Sequence, residues 1–482
     1  MTTGPPLRST LVKNSWSTSG VDLHLELDGA GGRRTGLERA LRGAIRDGRL
    51  GPRARLPSTR RLAVELGLAR GTVQAAYDQL VAEGYLTTRR GSGTTVAVLP
   101  ERRPEPPGPA DAPDPPRHDL VPGSPDATSF PVAAWLRATR RALSRAPVTA
   151  YGYGDPRGRT ELRTALAEYL GRTRGVLARP ERIVIVSGFV QALGLLAQVL
   201  NDPGPATVAM ESPGLDFHRA VAARRGLTVL PLPVDDRGAR TELLATPGFR
   251  AVRAAVVTPS HQFPTGVSLH PTRRRALTEW ARSRGGLIVE DDYDGEFRYD
   301  RQPVGALHGM APDHVVYLGT ASKTLAPGLR LGWMVLPDHL VDPVVEAKLL
   351  TDHCTETIGQ LALAELISSH AYDRHVRASR LRYRRRRDLL LSRLDRPDLE
   401  VRGISAGLHA LVRFSAEGPT EADVRRQAEA RGLALGYLGE WWHAPGDHPQ
   451  AVIVGYGTPS ERAYPAALDA LAETLDAAGR GG

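Results

Sequence analysis

The chain has 482 residues, of which 41% are hydrophobic, and a formal net charge of +10. This length predicts two or more domains with large cores. A single cysteine, Cys354, excludes an intramolecular disulfide, and no apolar run approaches the roughly 20 residues of a membrane span. Since the first residues also lack the apolar segment of a signal peptide, we expect a soluble cytoplasmic protein.

The positive charge is concentrated near the N-terminus. Between residues 31 and 100 there are 13 arginines and only five acidic residues. A basic segment of this kind is typical of proteins that bind the phosphate backbone of nucleic acids. We therefore predict a flexible tail over residues 1–20 and a DNA-binding domain over residues 21–98.

Three helices are predicted in the basic domain. Apolar residues spaced three and four apart place the first helix over residues 36–48. The second begins after Ser58, a good N-cap residue, and ends at Gly67, and the third has an apolar face over residues 73–81 and ends at Gly84. The joint between the second and third helices has the length of a helix-turn-helix turn.

Two short strand patterns, 85–88 and 94–98, flank a basic, glycine-containing tip and predict a β-hairpin, or wing. In a winged helix-turn-helix, the third helix enters the major groove and wing arginines contact phosphates. The positions predicted to contact DNA are Arg60, Arg61, Arg70, Thr72, Gln74, Arg89, Arg90, Gly91 and Gly93. A small helical interaction module with solvated arginines is the alternative.

The rest of the chain has a different pattern. Ten prolines between residues 99 and 125 exclude a helix or a central strand and predict a stiff, extended linker. From residue 126 to residue 482, strand patterns alternate with helical ones. This alternation predicts a large α/β domain with a mostly parallel sheet and a functional site at the carboxyl ends of its strands.

Lysine is rare in this sequence. The 63 lysines and arginines comprise three lysines, Lys13, Lys323 and Lys348, and 60 arginines. A lysine kept in such a chain indicates a task that arginine cannot perform, because a lysine amine can lose its proton and add to a carbonyl. By this count alone, an ordinary surface lysine is an equally good interpretation of Lys323.

The neighbours of Lys323 favour a reactive role. The residue follows a strand pattern at 315–318, and Thr320, Ser322 and Arg330 offer hydroxyls and a guanidinium for a phosphate. A phosphorylated aldehyde fits this set, and the leading candidate is pyridoxal 5′-phosphate (PLP).

Two more loops follow strand patterns in the same domain. Residues 187–191 lead into a helical pattern, and backbone amides at such a helix start bind phosphate. The acidic run 290–294 ends another strand, where a carboxylate can pair with a protonated pyridine nitrogen and a phenol can contact the ring hydroxyl. For the acidic run, a metal site or plain solvation is the alternative.

Several motifs resemble known families. The runs Leu56–Ala63, Leu66–Val73 and 91–94 resemble the winged helix of the GntR family. The larger domain resembles fold-type I aminotransferases, and the combination resembles the MocR/GabR type of transcriptional regulator. The motifs that carry this second resemblance are Tyr151–Gly158, Thr258–Gly266, Glu290–Phe297 and Gly319–Gly332.

The resemblance implies PLP as the cofactor and assigns roles to single residues. Lys323 is implied to be the Schiff-base lysine, Asp291 the partner of the ring nitrogen and Tyr293 the contact of the ring hydroxyl. His261 is implied to line the pocket, and Tyr153 to reach the cofactor of a partner subunit. The residues implied to hold the phosphate are Ser187, Gly188, Phe189, Thr320, Ser322 and Arg330.

The sequence departs from the family at three positions. Ala69 stands where a serine often caps the recognition helix, and Leu215 where an aromatic residue usually covers the cofactor ring. Residues 451–457 lack the arginine that grips a substrate carboxylate in many aminotransferases. We therefore hypothesise that PLP itself is the effector, as in the branch of the family that controls vitamin B6 synthesis. An amino compound anchored by another arginine is the alternative.

Together these patterns predict a homodimeric, DNA-binding transcriptional regulator. Its aminotransferase-like domain is expected to sense PLP or a PLP-reactive amino compound rather than to catalyse, and no metal is expected. A working aminotransferase with an N-terminal DNA tether is the rival interpretation. A nucleic-acid-binding scaffold without a cofactor is a third.

Overall fold

The computed structural model describes residues 32–89, 93–98, 114–300, 304–415 and 417–480. The chain forms two compact units, Met1–Pro113 and Asp114–Gly482. The predicted tail and residues 99–113 of the predicted linker lie outside the described residues. Residues 114–125 belong to the larger unit, where Leu120 is fully buried. The larger unit thus begins earlier than the residue 126 expected from the proline pattern.

The N-terminal unit contains three helices followed by a hairpin. Its core brings together apolar side chains of all three helices, among them Leu37, Leu62 and Leu80, each fully buried. Its elements are α1 (Arg33–Arg46), α2 (Thr59–Leu66), α3 (Arg70–Ala82), β1 (Leu86–Arg89) and β2 (Gly93–Val96). The winged helix predicted from the sequence is confirmed.

The two helix boundaries around the turn depend on specific capping residues. The Ser58 hydroxyl accepts a hydrogen bond from the Arg61 backbone N–H at 3.3 Å, and Gly67 ends α2 with a left-handed φ of 63°. Ala69, the N-cap of α3, has an extended backbone and no side-chain cap. The serine missing at this position is therefore not replaced.

Replacing Ala69 with serine is expected to stabilise the N-terminal unit by about 1 kcal/mol, because a serine hydroxyl satisfies an amide in the first turn of α3. Hydrogen exchange of the α3 amides measures this change. Ser58→Ala is the matched control and should cost about the same amount at α2. Unchanged exchange of the α3 amides in Ala69→Ser, together with unchanged exchange of the α2 amides in Ser58→Ala, would contradict the capping interpretation.

The wing is an antiparallel pair in which Leu86 lies opposite Val96. These two residues are buried, whereas Thr87, Thr88 and Arg89 are exposed. Arg90 and Gly91, two of the predicted DNA contacts, lie outside the described residues.

The larger unit alternates helices and strands for most of its length, as predicted. Its helices are α4 (Val132–Arg145), α5 (Thr160–Arg174), α6 (Phe189–Asn201), α7 (Asp216–Arg224), α8 (Pro271–Arg284), α9 (Asp338–Asp352), α10 (Thr357–Ser368), α11 (Ala371–Arg393), α12 (Glu421–Ala430) and α13 (Tyr464–Gly479). Its strands are β3 (His118–Asp119), β4 (Ile183–Val186), β5 (Thr207–Ser212), β6 (Thr228–Asp235), β7 (Gly238–Ala239), β8 (Val252–Val257), β9 (Leu287–Asp291), β10 (Val315–Thr320), β11 (Gly332–Val335), β12 (Leu399–Arg402), β13 (His409–Phe414), β14 (Leu433–Ala434), β15 (Gly436–Tyr437) and β16 (Ala451–Gly455).

Eight strands form the main sheet in the order β4-β11-β10-β9-β8-β5-β6-β7. The pairs from β10 to β6 are parallel, whereas β11 runs antiparallel to both of its neighbours. Helices cover both faces: Val184 packs in the cluster of α6 and α9, and Ile185 in that of α5 and α10. Because both faces of the sheet are covered by helices, its strands are apolar on both sides, which explains their continuous apolar sequences.

A second, antiparallel sheet has the strand order β12-β13-β16-β15. It packs against α11, α12 and α13 through buried side chains that include Tyr383, Val424 and Leu471. The short strand β3 pairs with β14 in a separate two-stranded sheet, so residues just before the predicted domain start belong to the fold of the larger unit. No helix among the described residues is long and apolar enough to cross a membrane.

Candidate functional site

A cavity of about 320 Å³ lies at the carboxyl ends of the main parallel strands. This edge of an open α/β sheet is the usual place for a ligand. Eight of the eleven residues predicted to bind the cofactor line it: Gly188, Phe189, Asp291, Tyr293, Thr320, Ser322, Lys323 and Arg330. A more open cleft of about 770 Å³, which includes Val252 and Leu287 at the starts of β8 and β9, contains none of them.

Lys323 lies on the loop that joins β10 to β11. Its ammonium group donates a hydrogen bond to the carbonyl of Gly123, and its side chain lines the cavity. Burial lowers the pKa of Lys323 below the usual value of a lysine, against the opposing effect of Asp294 and Asp291. The local environment therefore favours the neutral, nucleophilic amine.

The rate at which PLP attaches to the chain is expected to rise with pH and to level off below the usual lysine pKa of about 10.4. The sign follows from the lowered pKa, because only the unprotonated amine of Lys323 attacks a carbonyl. Borohydride trapping and peptide mapping over a pH series measure this rate. A midpoint equal to that of a free lysine peptide would contradict the expectation.

One wall of the cavity carries groups that can bind an anion. Helix α6 begins at Phe189, so its first amides lie beside Gly188, whose φ is +122°. A Cβ at Gly188 would lie 3.4 Å from the Arg330 guanidinium, which shows how closely the two approach. The Thr320 hydroxyl donates to the Ser322 hydroxyl at 2.8 Å on the same side.

Ser187 lies apart from the other residues that are predicted to hold the phosphate. It does not line the cavity but a neighbouring depression, and its backbone N–H donates to the Gln191 side chain at 2.7 Å. Gln191 in turn donates to Asp352 at 2.5 Å. The amide of Ser187 is thus already paired within the chain.

Asp291, at the end of β9, faces the cavity and is only 8% exposed. Its carboxylate has no hydrogen-bond partner among the described residues, and burial, followed by the charge of Asp292, raises its pKa well above the usual range. A buried carboxylate without a donor is costly unless a ligand supplies one. A protonated ring nitrogen is such a donor.

Tyr293 also lines the cavity, and a buried pair lies behind it. The His261 Nδ1 atom is 3.2 Å from the Tyr293 hydroxyl and 2.8 Å from the Asp294 carboxylate. Burial and the nearby Asp294 raise the pKa of Tyr293 well above its usual value, so the phenol keeps its proton. His261 itself does not line the cavity but contacts Tyr293 from behind.

The other acidic residues of the run 290–294 have partners within the protein. The Asp292 carboxylate receives hydrogen bonds from Arg174 at 2.7 and 2.8 Å and from Tyr317 at 2.7 Å. Glu290 accepts backbone N–H groups of Leu307 and His308. No group of three or more metal-ligating side chains is found in the part of the chain that the structure describes.

Tyr153 lies away from the cavity. It is 86% exposed and stacks on His353 with ring centroids 4.6 Å apart. Phe217, the aromatic residue two positions after Leu215, is 58% exposed and does not line the cavity either. Phe189 and His218 do line it, with their rings 4.3 Å apart.

Four titratable residues of the cavity were missed by sequence reasoning: Glu211, His218, Arg219 and His409. Glu211 is buried, which raises its pKa to about 7, and the Thr258 hydroxyl donates to it. The Nε2 atom of His409 is buried without a partner among the described residues. No local signal marks these positions, since each reaches the cavity only through the packing of distant segments.

On the N-terminal unit, most predicted DNA contacts are accessible. Arg60, Arg70, Gln74, Arg89 and Gly93 are exposed, and Thr72 is partly buried. Arg61 is exposed but bonded to Glu65 at 2.8 Å. The start of α3 therefore presents a guanidinium and an amide side chain to solvent, as a recognition helix requires.

Comparison with known proteins agrees with both units. Residues 34–96 match the family of bacterial regulatory proteins of the gntR type, and residues 123–434 match aminotransferase class I and II. The chain is 33% identical over 432 residues to the HTH-type pyridoxine biosynthesis transcriptional regulator PdxR of Corynebacterium glutamicum, covering 89% of this chain and 92% of PdxR.

The chain belongs to the MocR-type transcriptional regulators. It is also 35% identical over 441 residues to the probable rhizopine catabolism regulatory protein MocR of Rhizobium meliloti, covering 86% of this chain and 88% of that protein. This MocR-type protein is thus a DNA-binding transcriptional regulator with an aminotransferase-like domain, as the sequence predicted.

Solved structures show the same fold for the larger unit of this MocR-type regulator. The multiple substrate aminotransferase of Thermococcus profundus is 28% identical with a TM-score of 0.67, covering 76% of this chain and 92% of that one. The kynurenine aminotransferase of Pyrococcus horikoshii, solved with PMP, gives the same identity and score and covers 74% and 90%. Fold-type I aminotransferase architecture is therefore confirmed.

Proposed function

We propose that this regulator senses PLP, or an amino compound that reacts with PLP, at the cavity around Lys323. The observation that carries the proposal is that a lysine amine and a buried carboxylate line one cavity. Lys323 has a lowered pKa, and Asp291 is buried without a partner among the described residues. PLP fits both, since it brings an aldehyde for the amine and a ring nitrogen for the carboxylate.

Different residues of the chain bind different parts of PLP in this proposal. Arg330, the first amides of α6, Thr320 and Ser322 hold the phosphate group. Asp291 keeps a proton on the ring nitrogen, and Tyr293, positioned by His261, contacts the ring hydroxyl. Lys323 supplies the amine that fixes the ligand in place. When bound, PLP supplies a reactive aldehyde and an electron-withdrawing ring.

Sensing is favoured over catalysis by the strand β16. Residues 451–455 are all buried and none is charged, so the strand offers no guanidinium for a substrate carboxylate. An active aminotransferase would transfer amino groups at ordinary enzymatic rates. Such turnover with any common amino acid would contradict the sensing proposal.

We further propose that the regulator acts as a homodimer. Val148, Tyr151 and Tyr153 are exposed by 86%, 60% and 86%, and clustered exposed apolar side chains are typical of protein interfaces. A role of Tyr153 at the partner's cofactor is part of this proposal. Light scattering with and without PLP tests the state of assembly, and a monomer under both conditions would contradict it.

Replacing Arg70 with alanine is expected to weaken DNA binding by about 1–3 kcal/mol, because Arg70 is exposed at the start of the recognition helix. Fluorescence anisotropy with a labelled operator measures the loss. Arg224→Gln, at an exposed arginine of the larger unit, is the control and should leave the affinity unchanged. Equal affinities of wild type and Arg70→Ala would exclude Arg70 from the DNA contact.

The decisive experiment is binding to the DNA upstream of the protein's own gene, with and without PLP. A ligand shifts a conformational equilibrium only by its differential affinity for the two states. We expect the DNA affinity to differ between the PLP-free and PLP-loaded protein. Identical affinities would refute the sensing proposal and leave the fold and the family untouched.

A further inference from the structure

One arginine on the wall of the cavity has a role that neither the family nor the predicted site explains. Arg219, on α7, lines the cavity. Its guanidinium donates hydrogen bonds to three backbone carbonyls: those of Gly214, of Trp441 at 3.1 Å and of Trp442 at 3.1 Å. These three hydrogen bonds hold the charged side chain in place, and none of them is made to an acidic residue.

These contacts join two parts of the larger unit. Gly214 follows β5 of the main sheet, whereas Trp441 and Trp442 lie between β15 and β16 of the second sheet. Two backbone donors strengthen the junction: Gly214 N–H donates to the Trp441 carbonyl at 2.9 Å, and His443 N–H to the Ser212 hydroxyl at 3.3 Å. Arg219 thus holds the segment 438–443, which we call the closing segment, against the loop 212–215.

The closing segment forms part of the cavity wall. Trp441 lines the cavity beside Gly214 and Leu215, and its ring packs against Phe263 with centroids 4.8 Å apart. If the closing segment moved away, this wall of the cavity would open. The contacts of Arg219 therefore determine how enclosed a ligand at Lys323 is.

Two roles compete for Arg219. It could anchor the carboxylate of an amino acid in place of the arginine missing from β16, or it could keep the cavity closed. Three of the five guanidinium N–H groups already donate to backbone carbonyls and fix its orientation, so turning it fully toward a carboxylate would break bonds that hold the closing segment. The observed contacts favour the closing role.

We propose that Arg219 is a specificity-determining, positioning residue that keeps amino acids out of the cavity while PLP is retained. The inference rests on the proposed binding of PLP at Lys323. By fastening the closing segment to the loop 212–215, Arg219 keeps the cavity closed, so that the site retains PLP and does not admit an amino acid. Of the two candidate effectors, PLP and an amino compound, this leaves PLP.

The test compares PLP-loaded wild type with Arg219→Gln and Arg219→Lys. We expect Arg219→Gln to release PLP about tenfold faster on dilution, the change that follows from the loss of roughly one net hydrogen bond. We also expect its visible absorbance to change on addition of L-alanine, while that of wild type does not. Arg219→Lys should be intermediate, because its ammonium cannot reach all three carbonyls at once.

Arg224→Gln is the matched control, since Arg224 lies on the same helix, is exposed and takes no part in the junction. It should behave as wild type. A response of wild type to L-alanine that Arg219→Gln abolishes would overturn the proposal and make Arg219 a carboxylate anchor. Identical behaviour of all four proteins would overturn it too.

Failure of the underlying function looks different. If wild type acquires no visible absorbance with PLP, the proposed cofactor site is wrong before Arg219 is tested. If Arg219→Gln does not fold, Arg219→Lys keeps the charge and decides by the same two measurements, and unchanged release of PLP from it would count against the closing role.

Discussion

Replacing Lys323 with alanine is expected to abolish the visible absorbance that PLP acquires on the protein and to lower PLP affinity by roughly 100-fold. Among the residues that the structure describes, Lys323 is the only lysine that lines the cavity, and arginine cannot replace it because a guanidinium does not lose its proton. In the same variant, the response of DNA binding to PLP should be lost. Absorbance titration and anisotropy measure the two effects.

Two further variants make this result specific. Lys323→Arg keeps the charge and should fail in the same way as the alanine variant. Lys348→Arg should behave as wild type, because Lys348 is buried outside the cavity and bonded to Asp352 at 2.8 Å. If PLP still attached to Lys323→Ala, or no longer attached to Lys348→Arg, the reactive lysine would not be Lys323.

Replacing Arg174 with alanine is expected to destabilise the larger unit by on the order of 3–5 kcal/mol, because it leaves the buried charge of Asp292 without its partner. Both side chains are 1% exposed and are joined by two hydrogen bonds of 2.7 and 2.8 Å. Although burial opposes ionisation, Arg174 holds the pKa of Asp292 below its usual value. Chemical denaturation measures the loss.

Arg172→Ala is the matched control on the same helix. The Arg172 side chain is 50% exposed, and its partner Asp373 also lies 3.2 Å from His370 Nδ1, so the loss of Arg172 should cost clearly less than that of Arg174. The Arg174 effect should also shrink as the pH falls and Asp292 takes up a proton, because the unpaired charge is then removed. Similar losses from both variants would show that burial of the Arg174 pair has no special effect.

Local chemistry explains how much of the fold could be predicted. Ser58 and Gly67 bound α2 as their capping preferences require, and the β-branched run at 315–318 lies within β10. The reversed direction of β11 could not be predicted, because a buried strand has the same apolar pattern in either direction. The prolines before residue 126 concealed β3, which needs only two residues on an edge.

The same limit applies to the cavity. Lys323, Asp291 and Tyr293 were predicted because each follows a strand end, and strand ends of a parallel sheet meet at one edge. Arg219 and His409 escaped prediction because each also contacts residues far away in sequence: Trp441 lies 222 positions after Arg219, and the His409 ring packs against His261. His261 was given a direct contact with the ligand, whereas its packing places it behind Tyr293.

The position of Lys323 between β10 and β11 has a consequence for the timing of local unfolding. Both strands are interior to the main sheet, bonded on each side to another strand. Interior strands are the last to open in native-state hydrogen exchange. If a ligand binds at Lys323 as proposed, the loop that receives it is held between two strands that are expected to exchange slowly. We therefore expect a signal from this site to travel as a displacement of intact elements, and not as a melting of that loop.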